Sequence, residues 1–124
     1  MMGVPKESAA GEARVAMTPE TARKLKAQGH TLRVQAGAGV AAGFLDSHYQ
    51  EAGCDIVDAD AALQAEMVLK VRPPADDEIA RMSSGTVLVG MLNPFDRDGL
   101  TRMAAAGLTA FALEAAPRTS RAQA

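Results

Sequence analysis

The sequence predicts an α/β lobe built on a doubly wound, mostly parallel sheet, and two observations predict it. Strand-like and helix-like periodicity alternate about six times along the chain. The segments that join successive strands are too long for hairpins. Parallel strands need crossovers, and right-handed crossovers place helices on both faces of the sheet, giving a flavodoxin-like or Rossmann-like arrangement. At 124 residues the chain suits one domain and is large enough to bury a real core.

A short apolar start, Gly3-Val4, runs into Pro5, so the first strand ends at once. A loop of small residues then delivers Arg14 and leads to Thr18-Pro19-Glu20, which opens a helix: Thr18 as N-cap, Pro19 at the first helical position, an acid in the first turn. Gly29 sits where that helix needs a C-cap, and a strand follows over 31–36 until Gly37-Ala38-Gly39 breaks it. Asp46 or Ser47 caps a short helix through Glu51, closed by Gly53, and 54–57 is a brief strand. Asp60 caps a helix over 61–66, and 67–71 is a strand ended by Arg72-Pro73-Pro74, because neither proline donates to a ladder. The pattern continues with a helix over 76–82, a turn at Ser83-Ser84-Gly85, the most apolar strand over 86–92, a loop from Asn93-Pro94, a helix over 98–106 ended by Gly107, and a last strand over 108–113. Pro117 to Ala124 reads as a loop entering a helix, with Ser120 as its N-cap.

Composition excludes several classes of function. Net charge is −2 with Lys and Arg scattered, so there is no basic footprint for nucleic acid. Three Phe, one Tyr and no Trp supply no stacking platform for bases. No stretch has the eighteen or so apolar residues of a membrane span, and the first residues lack the pattern of a secretory signal. A single Cys54 rules out an internal disulfide and fits a reducing, cytoplasmic compartment.

Lys70 is the most suggestive single residue. It lies in Met67-Val68-Leu69-Lys70-Val71, and an ammonium in so apolar a strand costs several kcal/mol unless it is paired, neutralised or opened to a cleft. Its place near the strand's carboxyl end points to a cleft; a lysine snorkelling from an edge strand is the competing reading. Arg14 is either a carboxylate or phosphate clamp or a loop arginine paired with Glu12 or Glu7, and the residue pattern by itself favours the local pair. Gly37-Ala38-Gly39-Val40-Ala41-Ala42-Gly43 resembles a dinucleotide fingerprint, but it leads to a new helix start rather than opening a long helix, and reads as a turn for tight packing. Arg118 and Arg121, with Ser120 and Gln123, follow the last strand and project from the same sheet edge as Arg14 and Lys70, as ligand contacts or as solvent-facing side chains. His30 and His48 read as solvent-facing, Cys54 as a small core residue, and Asp76-Asp77-Glu78 as acids at a helix N-terminus. No His, Cys and Asp cluster has metal-ligand spacing, so no metal is expected.

Gly3-Val4-Pro5-Lys6-Glu7, Glu12-Ala13-Arg14-Val15-Ala16-Met17-Thr18-Pro19-Glu20, Gly37-Ala38-Gly39 with Gly43-Phe44, Asp46, Tyr49 and Ala52-Gly53, Val68-Leu69-Lys70-Val71-Arg72-Pro73-Pro74 and Pro117-Arg118-Thr119-Ser120-Arg121-Ala122-Gln123 together resemble the alanine dehydrogenase and NAD(P) transhydrogenase superfamily, in particular the N-terminal part of the transhydrogenase alpha subunit. The resemblance implies an oxidoreductase that passes hydride from NADH, on the alpha subunit, to NADP⁺ on a separate domain, coupled to proton translocation. It implies residues 1–124 are an N-terminal lobe truncated at its C-terminus, lacking the second, NAD-binding lobe, and inactive alone. Arg118, Thr119, Ser120, Arg121 and Gln123 would contact the cofactor, Gln123 positioning the nicotinamide, with an expected aspartate falling past Ala124. The implied partners are membrane-embedded and NADP(H)-binding transhydrogenase components and a second alpha subunit in a homodimer, on the cytoplasmic side of the inner membrane.

Alanine dehydrogenases, by the same resemblance, hold the substrate carboxylate with an arginine and a lysine matched by Arg14 and Lys70, and use an acid/base histidine matched by Asn93. Asn93 cannot titrate, which favours the transhydrogenase. An alanine-dehydrogenase-like lobe stays as an alternative, as does a free-standing, non-catalytic module that binds a partner or a small carboxylate through Arg14 and Lys70. The lobe alone is expected to expose apolar surface and to self-associate.

Overall fold

The computed structural model describes residues 1–115. In chain order these form β1 (Met2–Val4), α1 (Pro19–Ala27), β2 (Leu32–Gln35), α2 (Asp46–Glu51), β3 (Asp55–Val57), α3 (Ala59–Leu63), β4 (Met67–Lys70), α4 (Asp76–Arg81), β5 (Val87–Gly90), α5 (Arg97–Ala105) and β6 (Thr109–Ala112). The six strands make one sheet in the order β3-β2-β1-β4-β5-β6. Every neighbouring pair is parallel. The sheet is therefore wholly parallel, and its order is the Rossmann one rather than the flavodoxin one. Strand order reverses between β1 and β4, so a crevice opens beyond their carboxyl ends, where Pro5-Lys6-Glu7 and Val71-Arg72 emerge.

Helix starts follow capping chemistry, with corrections to which residue caps. Thr18 Oγ1 accepts the Thr21 N–H at 3.2 Å, and Pro19 takes the first helical position, as the sequence predicts. Asp58, not Asp60, caps α3: its Oδ1 accepts the Ala61 N–H at 2.8 Å. Asp58 leaves β3 with the extended backbone that an N-cap requires, whereas Asp60 is already inside the helix. For the same reason α5 starts from Asp96, which accepts the Gly99 N–H at 3.1 Å. Neither Asp46 nor Ser47 caps α2; Asp46 Oδ1 instead accepts the Gly37 N–H at 2.9 Å, and His48 Nδ1 accepts the Leu45 N–H at 3.0 Å.

Two apolar clusters flank the sheet. One gathers Val4, Met17, Ala22, Leu32, Val34 and Tyr49; the other gathers Leu63, Val68, Ile79, Leu88, Leu92 and Met103. Tyr49 is fully buried, donates its hydroxyl to the Met17 carbonyl at 2.7 Å and meets Phe44 edge to face with ring centroids 6.4 Å apart. Burial pushes its phenol up to about 12. Gly3 is where α3 crosses β1: a β-carbon there would collide with the Ala62 carbonyl oxygen and come within 2.7 Å of Ala65 Cβ. On β4, β5 and β6 the alternate positions Leu69, Val89 and Phe111 are aligned in register; Leu69 and Val89 are only partly buried and Phe111 is exposed. Phe111 and the following Leu113 are 56% and 54% exposed.

Gly3→Val is expected to cost about 1–3 kcal/mol in urea unfolding, since α3 must lift from β1 to admit the side chain; wild-type stability would remove this account of the crossover. The open apolar row predicts concentration-dependent self-association of the isolated chain, reduced by Phe111→Glu. Sedimentation velocity checks it, and a strict monomer at high concentration contradicts it.

Candidate functional site at the carboxyl ends of the strands

Lys70 ends β4, a central strand hydrogen-bonded to β1 and β5, so it does not snorkel from an edge. Its side chain is 1% exposed, and Nζ lies 3.1 Å from Glu7 Oε1 and 3.3 Å from Glu78 Oε2. Ion pairing resolves the burial of the ammonium, and Lys70 also lines an apolar slot next to Arg14. Both acids are further saturated. Glu7 accepts the N–H groups of Val71 at 3.0 Å and Arg72 at 3.1 Å. Glu78 accepts the Ala75 N–H at 2.8 Å and the Ser8 hydroxyl at 3.2 Å. Lys70 thereby ties the loop after β1 to the first turn of α4.

Above this knot lies a cleft of about 510 Å³, lined by Ala9, Arg14, Arg72, Met91, Asn93 and Glu114 among others. A narrower apolar slot of about 330 Å³ continues from Arg14 past Val15, Leu69, Val89 and Leu113. Arg14 forms the local pair that the residue pattern favours: Nε and Nη2 donate to Glu12 at 3.0 and 2.8 Å, and its backbone N–H donates at 2.9 Å. The side-chain and backbone hydrogen bonds from Arg14 hold the Glu12 carboxyl down to about 2. Arg72 Nε lies 3.7 Å from the same carboxylate.

Asn93 leaves β5 with φ of 52°, the one non-glycine residue with positive φ among the described residues. Glu114 accepts the Leu92 and Asn93 N–H groups at 2.9 and 2.8 Å. Burial opposes its charge, but the N–H groups of Glu114 itself, Asn93 and Leu92 outweigh it and leave the carboxyl below its ordinary range.

The glycine loop after β2 spends its N–H groups on the protein. Gly37 donates to Asp46 at 2.9 Å, Ala38 to the Gln35 carbonyl at 2.9 Å, and Val40 to Gly37 at 3.3 Å. Gly39 is small because the Tyr49 ring would lie 2.7 Å from its β-carbon. The loop leads into a single 3-10 turn, Val40–Ala42, so these residues do not fit a pyrophosphate cradle. Cys54 is buried and free, and burial pushes its thiol up. Among the described residues no three His, Cys, Asp or Glu side chains gather as a metal cluster. Arg118, Thr119, Ser120, Arg121 and Gln123 lie outside the described residues.

Sequence reasoning reached Arg14, Lys70 and Asn93 but missed Glu7, Glu78, Arg72 and Glu114. A lysine in an apolar strand does announce that carboxylates must be near, yet nothing in the order of residues selects two among fifteen acids. Lys70→Met would leave Glu7 and Glu78 buried without a cation and is expected to destabilise by about 3–5 kcal/mol, with partial recovery when Glu78→Gln is added. Urea denaturation checks both; a loss below 1 kcal/mol, roughly the level of a surface pair, would contradict the keystone role.

A family model described as the alanine dehydrogenase/PNT N-terminal domain matches residues 3–124. The NAD(P) transhydrogenase subunit alpha of Cereibacter sphaeroides is 40% identical over 125 residues, covering 98% of this chain and 24% of that protein. An alanine dehydrogenase of Halomonas elongata is 41% identical over 117 residues, covering 91% of this chain and 31% of that protein. The crystal structure of the transhydrogenase from Sinorhizobium meliloti superposes with a TM-score of 0.93 at 40% identity, over 97% of this chain and 36% of that one. The chain thus spans about a quarter of the transhydrogenase alpha subunit that it matches. Matched along almost its whole length, and with the Rossmann strand order in its sheet, the chain belongs to the alanine dehydrogenase/PNT N-terminal domain family.

Proposed function

We propose that this lobe works as the first part of an NAD(H)-handling alpha subunit of NAD(P) transhydrogenase. In that reading hydride passes from NADH to NADP⁺ on a partner component, and a membrane-embedded component couples the transfer to proton movement. The observation that carries it is Asn93. It stands in the cleft at the end of β5, where the resemblance to alanine dehydrogenases calls for a titrating histidine. An amide accepts no proton from an amino group, so amino-acid oxidation has no base there. Transfer between two nicotinamides needs none, because hydride leaves one ring for the other and the protein's task is positioning.

Lys70 supports the same reading. Its ammonium is committed to Glu7 and Glu78 and is not presented to an amino-acid carboxylate. The described residues do not cradle a pyrophosphate, so NAD(H) would be held mainly by a second lobe of the complete subunit. NAD(H) would supply the hydride; Arg118, Thr119, Ser120, Arg121 and Gln123 would reach its nicotinamide end, with Gln123 fixing the carboxamide. The same reading makes residues 1–124 a piece of a longer subunit, dimeric in its complete form and peripheral to the membrane on the cytoplasmic side.

An amino-acid dehydrogenase remains the second reading, favoured by 41% identity to the Halomonas elongata enzyme. The complete protein decides between them: reduction of an NADP⁺ analogue by NADH without alanine turnover supports the transhydrogenase, and alanine-dependent NAD⁺ reduction overturns it. The 124-residue chain alone is expected to show no NADH binding by calorimetry; a micromolar dissociation constant would contradict the division of labour between lobes.

A further inference from the structure

We infer that Glu114 is a positioning residue for hydride transfer. Its carboxylate ties the end of β5 to the point where the chain leaves β6 for residues 118–123, and so sets where those residues meet the nicotinamide. This role rests on the transhydrogenase reading, in which residues 118–123 reach the cofactor.

The ladder between β5 and β6 ends at the pair Gly90 and Ala112. Beyond it the chain enters the 3-10 turn Leu113–Ala115, and backbone pairing with β5 stops. The Glu114 side chain takes the ladder's place, accepting the Leu92 N–H at 2.9 Å and the Asn93 N–H at 2.8 Å. The N–H of Glu114 itself supports the same carboxylate. One anionic group thus gathers donors from both strand exits, across 22 and 21 residues of sequence. Asn93 and Glu114 both line the cleft of about 510 Å³.

Burial by itself does not call for this clamp. Leu92 is buried, but Asn93 is exposed, and water is at hand for its N–H. What the carboxylate adds is a fixed exit from the sheet. Ala115, Ala116 and Pro117 are all that separates Glu114 from Arg118, a tether no longer than about 14 Å. Slack at Glu114 therefore passes to the residues that orient the ring, and a misplacement of about 1 Å lowers a rate by as much as about 100-fold. Glutamine in its place offers a single acceptor oxygen and turns an NH₂ donor toward the second N–H, so Glu114→Gln opens the clamp at nearly constant volume.

The complete transhydrogenase, given NADH and an NADP⁺ analogue, tests the role. Glu114→Gln is expected to lower kcat about tenfold while the KM for NADH stays within about twofold, because the second lobe holds the cofactor. The primary isotope effect with NADH deuterated at the transferred position is expected to rise, since hydride transfer becomes slow relative to the other steps. A smaller folded fraction lowers kcat without moving the isotope effect. Hydrogen exchange of the same variant, followed by mass spectrometry, is expected to accelerate over residues 117–123 as well as over 91–94. An unchanged isotope effect, or faster exchange confined to 91–94, overturns the positioning role and leaves Glu114 as a strand-end clamp. A wild-type enzyme without transfer from NADH overturns the transhydrogenase reading instead, and this role with it. If Glu114→Gln does not fold, Glu114→Asp takes its place: it keeps the charge but is too short to span both N–H groups, and the same results support or overturn the role.

Discussion

The buried ammonium of Lys70 is the constraint around which the functional end of this lobe is arranged. A lysine at the carboxyl end of a central strand has no route to water, and its burial is tolerable only because two carboxylates and their own donors close around it. Satisfying it pulls Glu7 down from the loop after β1 and draws Glu78 in from α4. Those two demands fix the path of the loop that carries Glu12 and Arg14. The conformation of the cleft is in this sense a consequence of one desolvated charge.

The same physical device recurs along the sheet edge. Glu7 binds two successive N–H groups where β4 ends, and Glu114 binds two successive N–H groups where β5 ends. Peptide N–H groups beyond a parallel strand have lost their ladder partners, and a carboxylate with several lone pairs satisfies two at once. At β5 this clamp holds Asn93 in a left-handed conformation that an amide tolerates better than most side chains. The cleft floor is therefore pinned by carboxylate-to-backbone hydrogen bonds. Its rim, by contrast, is built of exposed arginines paired to one acid.

Element types were legible in the residues because local rules decide them. Thr18-Pro19-Glu20 caps a helix in any context, and Arg72-Pro73-Pro74 cannot continue a ladder. At one cap Asp58 takes the place of the expected Asp60, and α5 starts one residue before the expected Asp98, from Asp96 as its cap. There the winner is the residue still in extended conformation as the chain leaves the preceding segment, which no count along the sequence reveals. The glycine loop after β2 was read correctly as packing, because it never opened a long helix. The structure adds the reason in the Tyr49 ring against Gly39.

The sequence by itself determined the alternation of strand and helix and the likeness to one family, since both rest on local pattern; residue chemistry drew notice to Lys70, and the likeness drew it to Arg14 and Asn93. Tertiary structure decided the strand order, hence where the sheet reverses, and which carboxylate answers each cation. That pairing joins residues as far apart as Glu7 and Lys70, and it is set by desolvation in three dimensions rather than by neighbourhood along the chain.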